Sequence, residues 1–203
     1  MVIKRNFSRS QNNAEQISAT NKCEGLTIIG IDPGTNFLGY GIIHIKEGKP
    51  KLVSYGTLKL DRFSDRYERL KAIFVQLGVI IEEYRPDEMA LEAPFFGANV
   101  QSMLKLGRAQ GVAMAAALSR NIDVREYAPT EVKQAITGSG GASKEQVAAM
   151  VCRLLGMEGN IEKLDATDAL GVALCHYFAA ESPLPAKRGS KSSSFESIYN
   201  SQQ

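Results

Sequence analysis

Four carboxylates stand where the sequence offers no simple reason for a charge. Asp32 ends the apolar run IIGID and is followed by Pro33-Gly34, Glu92 sits in ALEAP at the end of a second short apolar run, and Asp165 and Asp168 open the apolar segment LDATDALGVAL. Taken singly, each has a plain structural use. Asp32 could cap the Pro-Gly-Thr turn, and Asp165 or Asp168 could be a helix N-cap. Taken together they suggest chemistry, because carboxylates gathered in one place repel and are costly unless protonated or bound to a cation. An all-oxygen, anionic set suits Mg²⁺ or Mn²⁺ rather than Zn²⁺, and neither His44 nor His176 has a partner at zinc-ligand spacing. Two hard cations about 4 Å apart could activate a water and stabilise the departing oxygen in phosphodiester hydrolysis.

No Ser/His/Asp or Cys/His arrangement competes with the acids. The glycine-rich segment GSGGAS (138–143) lacks the trailing lysine of a phosphate loop and does not follow a strand. It reads as a flexible turn ahead of a helix whose N-terminal amides could accept a phosphate. Three cysteines (Cys23, Cys152, Cys175), with no CxxC pair and no secretory apolar segment, predict a reduced, cytoplasmic setting. Nothing approaches 18 consecutive apolar residues, so no membrane span is expected.

The acids meet only if the fold brings their elements together. A chain of 203 residues, 44 % of them hydrophobic, can bury one substantial core. The formal net charge of +2 conceals a central stretch, 26–180, with 17 basic and 18 acidic residues. A nucleic-acid site would therefore depend on local placement of Lys and Arg, since overall basicity does not argue for one. Residues 1–25 and 181–203 are polar and without period, and are predicted to be a disordered leader and tail. Between them the pattern predicts strands over 26–32, 38–45 and 51–60 separated by turn signals such as KEGKP. A helix follows over 66–84, with Leu70, Phe74, Leu77 and Ile81 on one face. A strand over 87–93, a helix over 102–120, a strand over 122–127 and helices over 128–137, 142–156 and 165–180 complete the series. This is an α/β fold, a single domain with a five-stranded mixed sheet and helices on both faces. If the first and fourth strands are adjacent and parallel, Asp32 and Glu92 share an edge. Asp165 and Asp168, three residues apart on one helix face, can point at that edge too.

The stretches GIDPGTNFLGYGI, LEAPFF, LKLGRAQGVA, YAPTEVKQAITGSGGASKEQV and DATDALGVAL, in that order, resemble the RuvC-type Holliday junction resolvases of the ribonuclease-H-like superfamily. The resemblance runs from about residue 26 to 180. It implies that Asp32, Glu92, Asp165 and Asp168 are both the catalytic and the metal-binding acids. It implies Mg²⁺, two ions per subunit with Mn²⁺ as a substitute. It also implies a homodimer that places paired symmetric nicks across a four-way DNA junction, leaving 5′-phosphate and 3′-hydroxyl ends during recombination and repair. Phe95 matches the family aromatic that stacks at the opened junction centre, and Lys133 and Lys144 match its DNA-contacting lysines. A branch-migration helicase complex is the implied partner and the bacterial cytoplasm the implied setting.

The residues themselves leave more room. Phe95 and Phe96 beside Gly97 could stack on bases, a contact worth roughly 1–3 kcal/mol per base, or could pack under their loop. Lys133 and Lys144 could hold phosphates against the repulsive acids or be ordinary solvated lysines, and Lys105 and Arg108 are further DNA candidates on the 102–120 helix. The Gly107/Gly111 spacing allows close packing, internal or at a dimer face. The order of Arg108 and Gln110 and the proline in EAPFF depart from the family pattern and bear on cleavage-sequence preference. A ribonuclease-H-like nuclease acting on RNA or other branched DNA is the competing enzyme, and a non-catalytic junction-binding protein the competing binder. GIDPGT also resembles the phosphate loop of actin-like ATPases, but roughly 155 residues of core cannot hold the two domains such proteins need.

Overall fold

The computed structural model describes residues 25–93, 99–157 and 164–181. The predicted leader and tail, apart from Gly25 and Glu181, fall outside the described residues, as do Phe95 and Phe96. Every predicted element is present: β1 (Thr27–Asp32), β2 (Phe37–Lys46), β3 (Lys49–Lys59), α1 (Arg66–Tyr84), β4 (Glu88–Glu92), α2 (Val100–Leu118), β5 (Asp123–Tyr127), α3 (Pro129–Thr137), α4 (Lys144–Leu155) and α5 (Leu164–Glu181). Glu181, assigned to the tail from its polar context, instead closes α5.

The strands form one sheet in the order β3-β2-β1-β4-β5. β2 pairs antiparallel with β1 and β3, while β1–β4 and β4–β5 are parallel. The break expected at KEGKP narrows to Glu47-Gly48, both with positive φ (54° and 65°), the geometry of a two-residue hairpin turn. Pro50 is no breaker here: β3 is the edge strand, where a missing N–H is tolerated.

Alternation along each strand sends the two halves of the core to opposite faces. Ile29, Ile31, Met89 and Leu91 pack with α1 and α2, whereas Ile28, Ala90 and Ile43 pack with α3, α4 and α5. The predicted apolar face of α1 is partly wrong. Phe74 is 40 % exposed, and the buried stripe runs through Ile73, Leu77, Ile80 and Ile81 with Leu70 half-buried at its edge. The helix ends are held by local chemistry. Asp65 accepts from the amides of Tyr67 and Glu68, Asn99 from that of Ser102, and Ser143 from that of Gln146.

α5 is buried along most of its length and lies directly on the sheet. A Cβ placed on Gly30 would stand 2.1 Å from the Ala169 carbonyl oxygen and 2.7 Å from the Ala173 nitrogen. Gly30 is therefore what lets the helix carrying Asp165 and Asp168 approach the strand carrying Asp32.

Candidate active site

β1 and β4 are parallel neighbours with Ile31 opposite Leu91, so the next residue on each, Asp32 and Glu92, emerges at the same edge of the sheet. Both follow the alternation of Ile28 and Ala90 and so belong to the face covered by α5. Asp168 lies in the second turn of α5, which excludes an N-cap role for it; Asp165 lies in the first turn, and its side chain is outside the described residues. The tight turn after Asp32 depends on Gly34, where a Cβ would fall 1.9 Å from the Phe37 carbonyl oxygen.

Asp32, Glu92 and Asp168 line one cavity of about 340 Å³ together with Lys133, Lys144 and Thr130. Lys144 Nζ stands 3.0 Å from Asp168 Oδ2, with the lysine largely exposed and the aspartate 15 % exposed. The hydrogen bond to Asp168 raises the Lys144 pKa, with further attraction from Asp32 and Glu92. Burial first, and the charge of Asp168 second, push the Glu92 carboxyl above its ordinary range, opposed by Lys144 and Lys133. Both effects disfavour the charged form of Glu92.

A divalent cation would favour that charged form, and the residues suit one by donor type and charge. The acidic donors are all oxygens, three acids line the cavity, and the positive groups beside them are two lysines. Among the described residues no three His, Cys, Asp or Glu side chains already converge as a ready-made ligand set. The Lys144 ammonium is the positive charge the three acids share.

Lys105 and Arg108 do not join this group. They line a second, larger cavity on the α1/α2 side of the sheet. The glycine-rich turn before α4 is less open to anions than the sequence suggested, because Ser143 and Gln146 form a reciprocal capping box that occupies amides at that helix end. Sequence reasoning missed Thr130, which the Pro-Thr start signal of α3 could have placed at the carboxyl end of β5, beside the acids. It also missed a polar chain beneath them. His176, 2 % exposed, has Nδ1 2.6 Å from the Tyr127 hydroxyl and Nε2 against the Glu88 carboxylate. Burial pushes the Tyr127 hydroxyl up to about 12. His44, expected in the sheet, is there and meets the Thr27 hydroxyl at 3.0 Å. Neither histidine lines the acidic cavity.

Residues 28–176 match the family model described as "Crossover junction endodeoxyribonuclease RuvC". The chain is 58 % identical over 151 residues to the protein of that name from Cytophaga hutchinsonii, covering 74 % of this chain and 76 % of the relative. It is 52 % identical over 175 residues to the one from Porphyromonas gingivalis, covering 85 % and 93 %. It superposes on Thermus thermophilus RuvC in complex with Holliday junction substrate with a TM-score of 0.69 at 32 % identity, covering 76 % of this chain and 94 % of that one. A five-stranded mixed sheet with acids from β1, β4 and α5 on one edge, matched along nearly all its described length, leaves one assignment: the chain belongs to the RuvC family of crossover junction endodeoxyribonucleases.

Proposed function

We infer that the protein is a Holliday junction resolvase, a divalent-cation-dependent endonuclease that cuts opposed strands of a four-way DNA junction. The observation that carries this is that Asp32, Glu92 and Asp168, from three separate elements, line one cavity with Lys133 and Lys144, in a chain of this family.

Asp32, Glu92, Asp168 and Asp165 are the residues that would hold Mg²⁺, two ions being the number the four carboxylates suit, with Mn²⁺ as a substitute. Held there, such ions would lower the pKa of a bound water and offset charge on the departing 3′-oxygen. The chain's own residues do the rest. The acids, fixed on a strand end, a strand end and a buried helix, hold the reacting edge rigid. Lys133 and Lys144 bring the DNA phosphate against a repulsive site and fix its register. Phe95, and with it Phe96, lies just after Glu92 in sequence and is the candidate for stacking on an opened base pair.

Two opposed cuts call for two copies of the site, and α2 supports a homodimer. Its exposed side carries Val100, Leu104, Gly107, Gly111 and Leu118, spaced four and three apart and then seven, the period of a helix-pairing seam. A Cβ on either glycine would meet nothing within 4 Å, so a partner helix could come close. No described helix is long and apolar enough to cross a membrane, and the described cysteines, Cys152 and Cys175, are free thiols, in keeping with work on DNA in the bacterial cytoplasm. Delivery to the junction by a branch-migration helicase complex belongs to the same reading.

The test is cleavage of a synthetic four-way junction, a matched linear duplex and an RNA–DNA hybrid, each with Mg²⁺ and with EDTA. Paired Mg²⁺-dependent nicks in the junction alone, with 5′-phosphate ends, are expected. Cutting of the hybrid or the duplex instead would keep the acidic site and overturn the substrate. Tight junction binding with no cutting would make the protein a binder.

A further inference from the structure

Of the two cavities described, the larger, about 700 Å³, is not the acidic one. It lies between the first turns of α1, the first half of α2 and the turn that follows Asp32. Among the described residues, four cations line it, Arg66, Arg69, Lys105 and Arg108, and no carboxylate does. That composition is unusual in a chain whose central stretch is almost neutral.

The four cations differ in kind. Arg69 is committed to structure: Nε donates to the Phe63 carbonyl (2.8 Å) and Nη1 to Asn36 Oδ1 (2.8 Å) and the Thr35 carbonyl (3.2 Å). It pins the turn after Asp32 to α1, joining the floor of this cleft to the catalytic edge. Arg66, Lys105 and Arg108 are exposed and make no ion pair among the described residues. Arg66 lies over the ring of Tyr67, 4.7 Å from its centroid, and donates to its hydroxyl (2.9 Å), and that ring is 62 % exposed. Positive charges left unpaired around a concave surface, with an exposed aromatic beside them, fit a polyanion better than a neutral ligand.

We propose that this cleft is a second DNA-backbone site, in which Arg66, Lys105 and Arg108 hold phosphates of the junction strand on the α1/α2 side of Asp32, opposite the side held by Lys133 and Lys144. The inference rests on the resolvase reading and extends it. The strand being cut is gripped on both sides of the scissile phosphate, so that pull from one arm cannot slide the phosphate off the acids. Placement at the turn after Asp32 fits this role, since Thr35 and Asn36 line the cleft two or three residues from the first acid.

The test compares the parent dimer with an Arg66→Gln/Lys105→Gln/Arg108→Gln variant. Affinity for an intact four-way junction is measured in EDTA across a salt series, and cleavage is then measured with Mg²⁺. Each lost phosphate contact flattens the dependence of log K on log salt by about 0.9, and three residues in each of two subunits remove up to about six, so the variant's slope is expected to be shallower by about 5. Affinity should be at least ~10-fold weaker at low salt, and the cleavage defect should appear chiefly in KM. An Arg66→Lys/Lys105→Arg/Arg108→Lys variant, which keeps the charges, is expected to keep the slope. Unchanged slope and affinity in the Gln variant would overturn the proposal. So would a variant that sediments as a monomer, which would make the cleft a subunit contact. If the parent itself neither binds nor cuts a junction, the resolvase reading falls first and this site with it.

Discussion

Lys144 on α4 and Asp168 on α5 form a 3.0 Å ion pair at the mouth of the acidic cavity, joining the residue that resembles a DNA-contacting lysine to one that resembles a metal ligand. On the proposed function, one ammonium would serve two tasks that pull apart. It offsets the mutual repulsion of Asp32, Glu92 and Asp168, and it is placed to meet a phosphate. A cation entering the site would compete with Lys144 for Asp168 and free the lysine for DNA.

That competition gives a prediction with opposite signs for two ligands. Lys144→Gln should bind Mn²⁺ several-fold more tightly than the parent in the absence of DNA, because a repelling charge is gone. The same variant should lose about 10-fold or more in kcat/KM on a junction, in line with losing one charged contact of about 1.5–3 kcal/mol. Calorimetric Mn²⁺ titration and cleavage kinetics check the two halves separately. A loss of affinity for both ligands would contradict this account.

Burial of Glu92 disfavours its charged form. Its carboxyl is raised above the reference value of 4.5 by burial and then by Asp168. A group raised by folding stabilises the fold while protonated, below its unfolded pKa, and that contribution is lost as pH rises through the folded value. Glu92→Gln is therefore expected to melt higher than the parent at neutral pH without divalent cations. The gap should close as the pH falls below about 4.5, where the parent is protonated as well. Mg²⁺ should raise the melting temperature of the parent more than that of the variant, since ligand that binds only the native state stabilises it by mass action. Calorimetric scans at both pH values, with and without Mg²⁺, decide it, and a Gln variant that melts lower at neutral pH would refute it.

Gly30 is the contact on which α5 rests. With the Ala169 carbonyl oxygen 2.1 Å from any added Cβ, the obstacle is backbone that cannot rotate away. Gly30→Ala should destabilise by about 1–3 kcal/mol or more, the usual cost of overpacking. It should also lower cleavage even where the protein is fully folded, because α5 moves with its acids. Urea denaturation followed by an assay at a temperature below the transition separates the two effects. Unimpaired stability would show that the helix does not need this close approach.

The buried His176 tests packing apart from chemistry. His176→Phe leaves the Tyr127 hydroxyl and the Glu88 carboxylate without their partner. A loss of about 1–3 kcal/mol in a denaturant titration is expected for orphaned polar groups of this kind.

Much of the site could be read from the chain because its signals are local. A carboxylate at the end of an apolar run shows in the sequence as a residue out of keeping with its neighbours, and that is how Asp32 and Glu92 stood out. Their meeting needed only one inference about parallel strands, which the register Ile31↔Leu91 supports. What escaped depended on tertiary geometry. The true face of α1 is turned from the predicted stripe, with Ile73 and Ile80 in the core shared with α2 and Phe74 left to solvent. The Tyr127–His176–Glu88 chain joins residues 49 and 88 positions apart, a spacing no motif encodes. Lys105 and Arg108 had the expected charge but lie on the opposite side of the sheet from Lys133 and Lys144, because α2 and α3 cover different faces.

The central claim is that the Asp32 carboxylate serves cation chemistry and not the fold. The most direct measurement is Asp32→Asn assayed on one synthetic four-way junction, for binding in EDTA and for cutting in Mg²⁺. The account predicts a folded dimer that binds the junction at least as well as the parent and leaves it uncut, at a rate reduced by about 10³-fold or more, as when a group acting only in the transition state is lost. A variant that still places paired nicks at close to the parent's rate would contradict it.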